Sequence, residues 1–504
     1  MTLAQAWGVV PSGLSGLMVK VEVDVAQGLP TVGVVGLAQA SVSESRWRAR
    51  SALVNSGFTW PNSRITIGLS PADLPKTGTS LDLPIALALL VASNQLPQLA
   101  TECVYIGELG LDGAIKPVPG ALAVGIAAHR HGVRRIVASV ENAGELSEIH
   151  GVEVVAVQNL RHVVEVLRGE GVGAPVRSAR VEVSIDDFGD FSDVRGHEQS
   201  RFALEVAAAG GHHIAMVGEP GVGKTMLAQR FITILPDLTH QQALDVTSLH
   251  TLAGRIASGQ GLIHRPPLIA PHHSISTGAM LGTVRAGVLI PGALSLANHG
   301  VLFLDEAPEF ARPALEGMRQ PLEQGTLALM RVGHVVNAPA RFQLVLAANP
   351  CPCGNATGAA SLCACDSAAK RRYSHKLSGP LMDRIDIRLT LTKPTNAHLR
   401  MPSAESSAVI AERVSQARKK ASHRWRDESW DLNAQAVGNI LRTKYSPTGK
   451  AMALLTLAEN AGLNPRGSDR VLRLAWSIAD LEDADVVSAE HMALALTMRG
   501  ESFD

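Results

Sequence analysis

Polar and apolar residues alternate without a break from Val19 to Val25, where Val19, Val21, Val23 and Val25 are separated by Lys20, Glu22 and Asp24. Ile65, Ile67 and Leu69 repeat that period. Side chains on a strand point to alternate faces, so both segments read as strands with one face buried. Between them Ser41 stands three residues before Glu44, the spacing of a capping box, and predicts a helix that stops at Gly57. A second round follows: an apolar helix over residues 83–92, a Gly/Pro turn in GELGLDGAIKPVPG, a helix running to His131, and strands over residues 135–138 and 152–157. These units compose one α/β domain of ordinary size.

Residues 168–190 lose this periodicity and gather Gly, Pro and charge, which marks an interdomain linker. Beyond it a strand, a loop and a helix start at His213, a second apolar strand ends at Asp305, and a third covers residues 343–348. Strands alternating with helices predict a parallel sheet covered on both faces. From about residue 395 Ala, Leu and Arg recur at helical spacing, and no repeat of about 20 to 50 residues is present. The expected division is 1–168, a linker at 169–190, a central domain at 191–394 and a helical domain at 395–504.

The 504 residues carry 46 Lys+Arg against 46 Asp+Glu and only 18% charged positions, which excludes a disordered polyelectrolyte and a globally basic protein that coats nucleic acid. Any polyanion has to be met locally. No apolar run approaches the ~18 to 20 residues needed to cross a bilayer. The opening MTLAQAWGVVPSGLSG has no basic segment ahead of an apolar stretch, so no signal peptide is expected. The expectation is a cytoplasmic protein without a membrane partner.

The sharpest chemical signal is GEPGVGKT, residues 218–225, entered from the apolar strand HIAMV and leaving into KTMLAQRFITIL. Gly218, Glu219, Pro220, Gly221, Val222 and Gly223 can wrap backbone N–H groups around phosphates, and the helix N-terminus adds positive potential. Lys224 then reaches the terminal phosphates and Thr225 can hold Mg²⁺. A glycine turn that happens to fit is the alternative, and the flanking strand and helix argue against it. Further on, Val301, Leu302, Phe303 and Leu304 lead into Asp305 and Glu306. A buried strand delivering two carboxylates at its end sets Asp305 towards Mg²⁺ and leaves Glu306 to polarise an attacking water as catalytic base. Taken alone the pattern equally suits a strand leaving into solvent; beside a P-loop, both strand ends converge on one crevice. The strand QLVLAAN ends at Asn349, whose amide could align that water; alone, it would read as a turn residue before Pro350.

Four of the five cysteines, Cys351, Cys353, Cys363 and Cys365, lie within residues 351–365. That is too sparse for a disulfide scaffold, but two pairs of thiolates can close a tetrahedral site that suits Zn²⁺. Each pair is Cys-x-Cys rather than the commoner Cys-x-x-Cys, and four reduced thiols in a loop are the alternative. Cys103 stands apart and reads as core.

At these residues, and at DVRGHEQSRFALEVAAAGGHH, APHHSIS, PGALSLANHGVLFLDEAPEF, RQPLEQG, ANPCPCG and SGPLMDRIDI, the sequence resembles the magnesium-chelatase-like AAA+ ATPases, specifically the competence protein ComM (YifB) family. The resemblance covers nearly the whole chain. It implies a central P-loop αβα domain with a parallel sheet and a C-terminal helical lid, assembled as a hexameric ring with ATP and Mg²⁺ between subunits. In such rings Arg384 of the DRID segment looks like the finger given across the interface to the neighbour's γ-phosphate. Read without the family, it would be a solvated or salt-bridged arginine between Asp383 and Asp386. NPRGSDRVLRLAW resembles a sensor-2 helix, with Arg466 the better match and Arg470, one turn along, its competitor.

The first domain resembles the Lon-type proteolytic domain, a ribosomal S5 domain 2-like α/β fold. Ser80 falls about where that protease has its serine, but Leu122, Ala123 and Val124 stand where the lysine should, and Lys116 precedes Pro117 in a turn. A Ser/Lys dyad needs an amine with a depressed pKa. This domain is therefore expected to lack proteolytic activity and to serve assembly or substrate docking.

Charge is distributed unevenly. Residues 246–304 are 59 positions without an acid but with Arg255, Arg265, Arg285 and five His; residues 324–365 are 42 more, carrying Arg331 and Arg341. By the resemblance these tracts hold the helix-2 insertion and the pre-sensor-1 hairpin, which face the channel in related rings, where threaded phosphates would meet positive potential. Arg285 and Arg331 are the candidate DNA contacts; the alternative is a protein partner packed on the insertion. A further basic run over residues 413–426 reads as a solvated helix face. The resemblance implies a ring motor coupling ATP hydrolysis to movement on single-stranded or branched DNA in a central channel, with branch migration of recombination intermediates in natural transformation as its use. The alternatives are the ATPase subunit of a magnesium chelatase, an ATP-dependent protease, and an ATP-switched scaffold without motor activity.

Overall fold

In the computed structural model, the alternating segment from Val19 to Val25 lies within strand Ser15–Ala26, where Val19, Val21 and Val23 are completely buried. The structure describes residues 2–12, 15–36, 40–72, 76, 78–176, 180–181, 188–257, 259–285, 288–331, 334–356, 363–394 and 404–500. Strand Ser15–Ala26 belongs to a seven-stranded sheet in the order Thr31–Val35, Arg64–Ser70, Ser15–Ala26, Thr2–Ser12, Cys103–Ile106, Arg135–Ser139, Glu153–Val157. Strand Thr2–Ser12 was not anticipated. Its Ala4, Ala6, Gly8 and Pro11 have little strand propensity, and it is held by antiparallel pairing along its length, from Thr2 opposite Val25 to Ser12 opposite Ser15. The first helix, Ala40–Asn55, already includes Ser41, so the pair Ser41 and Glu44 sits inside its first turns and not at its cap. Helix Asp82–Ala92 is buried at every residue, as a helix apolar on all sides must be. Its one charge, Asp82, is held by Arg48 Nε at 2.6 Å, by the Ser45 hydroxyl, and by the Leu109 N–H at 3.2 Å.

Ser80, just before this helix, is buried, and its hydroxyl donates to the Val9 carbonyl at 2.8 Å. Leu122 and Val124, where a Lon-type lysine would stand, share one buried apolar cluster with Leu244, Val246 and Leu262 of the central domain. The His150 ring stacks on His240 with centroids 4.3 Å apart. These apolar side chains thus join the N-terminal part of the chain to the central one. The linker also contributes: Arg180–Val181 pairs in parallel with Leu262–Ile263, while residues 177–179 and 182–187 lie outside the described residues.

The central sheet has five parallel strands in the order Leu268–Ile269, Val301–Leu304, Gln343–Ala348, Ile214–Gly218, Ile387–Leu391. Three were legible as strands. The outer two were not, because Leu268–Ile269 is two residues long and Ile387–Leu391 is interrupted by Arg388 and Thr390. This order sets the carboxyl ends of Val301–Leu304, Gln343–Ala348 and Ile214–Gly218 side by side, which is where ligands bind in open parallel sheets.

Helices Ser407–Arg424, Gly449–Asn460, Pro465–Leu481 and Ala489–Arg499 form the C-terminal domain. They share a core with the central one, which joins Phe231, Trp425, Leu472 and Leu496. The basic run over residues 413–426 is a solvated face only in part: Lys419 and Arg426 are exposed, whereas three arginines are engaged. Arg413 Nε meets Glu205 at 2.7 Å and its Nη1 meets Glu405 at 2.8 Å, Arg418 Nε donates to the Ala208 carbonyl at 2.8 Å, and Arg424 pairs with buried Asp480 while stacking 4.0 Å from the Trp476 centroid. The acceptors Glu205, Ala208 and Asp480 come from other helices and Glu405 from the segment just before this one, and a planar guanidinium whose donors are satisfied can be covered. Among the described residues no helix is long and apolar enough to cross a membrane.

Candidate nucleotide-binding site

The loop over residues 218–225 joins strand Ile214–Gly218 to helix Lys224–Phe231. Gly221 and Gly223 take φ of +76° and +100°, a region costly for any residue with a Cβ, and a Cβ on Gly218 would come within 2.9 Å of the Leu391 carbonyl. Val222 is buried beneath the loop and the Glu219 carboxylate lies 3.4 Å from Lys393 Nζ. Lys224 is buried, and its ammonium donates to the carbonyls of Gly218 at 2.6 Å and Glu219 at 3.0 Å and to Asn349 Oδ1 at 2.9 Å. Burial lowers its pKa from the ordinary lysine value, opposed by the charges of Asp305 and Glu306.

The exposed Thr225 hydroxyl donates to Asp305 Oδ2 at 2.8 Å, and Asp305 Oδ1 accepts the Glu306 N–H at 2.9 Å. Glu306 has φ of +52°, a left-handed conformation that costs a non-glycine residue roughly 1–2 kcal/mol and aims its carboxylate out of the strand. His273 Nδ1 stands 3.3 Å from Glu306 Oε2. The structure therefore brings Lys224, Thr225, Asp305, Glu306 and Asn349 to one crevice, and adds His273, which sequence reasoning missed. Only the APHHSIS segment pointed to it, since its acidic partner lies on another strand.

Cys351 follows Asn349 after one proline, so the cysteine loop continues from this crevice. Its Sγ lies 3.3 Å from that of Cys353 and 3.6 Å from that of Cys363, Cys353 and Cys363 are 3.7 Å apart, and all four ligand atoms, including Cys365, fall within 4.8 Å of one another. A disulfide needs about 2.05 Å, and all four are free thiols. Tetrahedral thiolates at a Zn–S distance of ~2.3 Å stand ~3.8 Å apart, so the donor set fits zinc. The Asn355 N–H brings the Cys353 thiol down to about 6, while burial raises that of Cys351. Gly354 packs on the phosphate loop, where a Cβ would come within 2.6 Å of Pro220. Residues 357–362, between the two pairs, lie outside the described residues.

Arg384 and Arg466 lie elsewhere. Both line a cavity of about 930 Å³, shared with Arg470 and Arg473, which none of residues 218–225, 305, 306 and 349 lines. Arg384 is buried, donates to the Pro380 carbonyl at 2.5 Å and pairs with Glu323, not with the Asp383 and Asp386 that flank it in sequence. Arg470 pairs with Asp386, whose carboxylate also accepts the His213 N–H at 3.0 Å. Burial opposes ionisation of Asp386, but Arg470 and the neighbouring histidines outweigh it and hold the carboxyl well below its ordinary range. Arg466, one turn earlier, is exposed.

The two acid-free tracts form hairpins, Gly282–Arg285 with Val288–Pro291 and Thr326–Arg331 with His334–Pro339. Leu289 of the first and Ala338 of the second share a buried cluster with Leu249. Arg285 is exposed at the tip of the first hairpin. Arg331 ends its strand at the tip of the second, opposite His334, and its side chain lies outside the described residues.

A phosphate loop, a strand-end Asp-Glu pair and a polar residue ending the strand between them define a P-loop ATPase domain of the AAA+ type. Three family models cover the chain: "Magnesium chelatase, subunit ChlI" over residues 190–399, "Subunit ChlI of Mg-chelatase" over 21–142, and "Magnesium chelatase, subunit ChlI C-terminal" over 404–499. An uncharacterized protein of Mycobacterium tuberculosis is 44% identical over 501 residues, covering 99% of both chains. The Escherichia coli protein YifB is 38% identical over 491 residues, 97% of this chain and 95% of its own, and the competence protein ComM of Haemophilus influenzae is 35% identical over 508 residues, 99% and 98%. The chain belongs to the magnesium-chelatase-like ComM/YifB family. Its N-terminal part is also similar to the Lon protease of Bacillus thuringiensis, 30% identical over 155 residues, 29% of this chain and 19% of that one. Membership implies ATP and Mg²⁺ at this site and suggests an oligomer.

Proposed function

We propose that this chain is a cytoplasmic AAA+ ring motor that couples ATP hydrolysis to translocation on single-stranded or branched DNA, and that its task is branch migration of recombination intermediates during natural transformation. The observation that carries the ATPase reading is the convergence of Thr225 on Asp305 at 2.8 Å and of Lys224 on Asn349 at 2.9 Å. The phosphate loop binds the triphosphate, Lys224 gathers its terminal oxygens, and Thr225 with Asp305 would hold Mg²⁺. That ion, when bound, neutralises charge on the phosphates. Glu306 takes the proton of a water that Asn349 aligns; the water oxygen bonds to the γ-phosphorus as the bond to the β–γ bridging oxygen breaks, leaving ADP and phosphate. His273 holds Glu306 in reserve and so orients the base.

Arg384 and Arg466 share a cavity remote from their own phosphate loop, which favours their acting on a neighbour's ATP in a hexamer. An arginine supplied in trans couples turnover to assembly. Arg285 and Arg331, at the tips of adjacent hairpins in tracts without acids, would grip phosphates in the channel independently of base sequence. Cys351, Cys353, Cys363 and Cys365 would hold a structural Zn²⁺ that fixes the end of the Asn349 strand against Pro220. The DNA reading draws further support from the relative named a competence protein. It is tested with labelled three- and four-strand junctions at low salt: ATP-dependent strand exchange is expected, and its absence in protein that hydrolyses ATP would leave the switched scaffold.

A further inference from the structure

The outer edge of the N-terminal sheet carries a second cavity, about 400 Å³ in volume, between strand Thr31–Val35, helix Ala40–Asn55 and the turn at residues 60–63. Helical spacing puts Arg46, Trp47 and Arg50 on one side of that helix, and Arg48 on the other, where it binds Asp82. Trp60 lines the same cavity. The sequence has six tryptophans; Trp425, Trp430 and Trp476 are buried in the lid, whereas Trp47 is 55% exposed.

Each indole here is accompanied by a guanidinium: Arg46 Cζ lies 5.1 Å from the Trp47 centroid, and Arg50 Cζ lies 5.9 Å from that of Trp60. Arg46 Nη1 donates to the Val32 carbonyl at 3.1 Å, which fixes it in the wall, while its Nε is buried without a hydrogen-bond partner among the described residues. Among the described residues no Asp or Glu lines the cavity. The edge strand pairs on one side only among the described residues, so a chain can enter and leave along it.

Two cations and two indole faces, with no carboxylate among the described lining residues, suit an anion that carries a flat ring. We propose that this cavity binds single-stranded nucleic acid, one unpaired base stacking on Trp47 and its phosphate taking hydrogen bonds from Arg46 and Arg50. Duplex DNA keeps its bases stacked inside and offers no such face. The site needs neither ATP nor motion along DNA, so it stands or falls apart from the motor reading.

The test uses full-length protein without nucleotide, a bromodeoxyuridine-containing oligothymidylate, and a background carrying both Arg285→Glu and Arg331→Glu so that the channel does not mask the site. Irradiation is expected to crosslink the strand to the segment 40–63. Trp47→Ala and Arg50→Ala are each expected to weaken binding by about tenfold in fluorescence anisotropy, with basal ATP turnover unchanged. Unchanged affinity in both variants, or crosslinks that avoid this segment, would overturn the proposal. So would thymidine monophosphate binding as tightly as the strand, which would make this a mononucleotide site, or a proline-rich peptide displacing the strand, which would make it a peptide site.

Discussion

Replacing Arg470 by Ala should cost stability and replacing Arg466 by Ala should not, although they stand one turn apart on helix Pro465–Leu481. The Arg470 side chain is 14% exposed and that of its partner Asp386 is 1% exposed. Removing one member of such a pair strands a buried charge, at about 3–5 kcal/mol. Asp386 would keep the His213 N–H at 3.0 Å and the His212 ring at 3.6 Å, which favours the lower end, about 3 kcal/mol. For a unit of roughly 200 residues, each kcal/mol moves Tm by ~2–4 °C, so a loss of ~6–12 °C is expected. Tryptophan fluorescence during heating reads this directly, because Trp476 lies on the same helix and packs against Trp425. Adding Asp386→Asn to Arg470→Ala should recover part of the loss by removing the stranded charge. Arg466→Ala should keep Tm within about 1 °C and lower ATP turnover by at least about tenfold, less than the ~10³ or more that arginine fingers supply. An Arg470→Ala protein with unchanged Tm and lost turnover would refute the reasoning and make Arg470 the sensor.

Glu306→Gln should bind a fluorescent ATP analogue normally while turnover falls about 10²–10⁴-fold, as loss of a general base does; unchanged turnover would remove Glu306 from that role. Metal analysis of purified protein should find one zinc per chain, lost in Cys353→Ser, and chelator treatment should release it with a fall in Tm. Burial lowers His213 to about 4 from the ordinary 6.5. The unfolded chain then takes up that proton first, so stability is full above about pH 6.5 and falls as pH drops towards 4, by at most about 3 kcal/mol. Melting curves across that window should show the decline in the native protein and a flatter profile in His213→Gln.

The phosphate loop was legible because its strand, glycines and lysine are contiguous, and their chemistry needs that order. Asp305 and Asn349 were legible as strand ends. Their meeting with Thr225 and Lys224 depends on a strand order that only the fold supplies. His273, Glu323 and the pair Asp386–Arg470 left no local trace, because each partner comes from a distant element. The same cause misdirected the reading of Arg413 and Arg424 within residues 413–426: a run of cations looks solvated until Glu205 and Asp480 are seen to face two of them. Strand Thr2–Ser12 was hidden for a different reason, since pairing rather than propensity holds it. Leu122 and Val124 were read as a missing lysine, and the fold adds that they are interdomain core.

The central claim is that this ATP site drives movement on DNA, and the ATPase rate with and without single-stranded, duplex and branched DNA tests it most directly. The account predicts stimulation, greatest with branched DNA, falling steeply as salt rises, and lost in Arg331→Glu while basal turnover survives. Equal rates in the absence and presence of every DNA at low salt would contradict it.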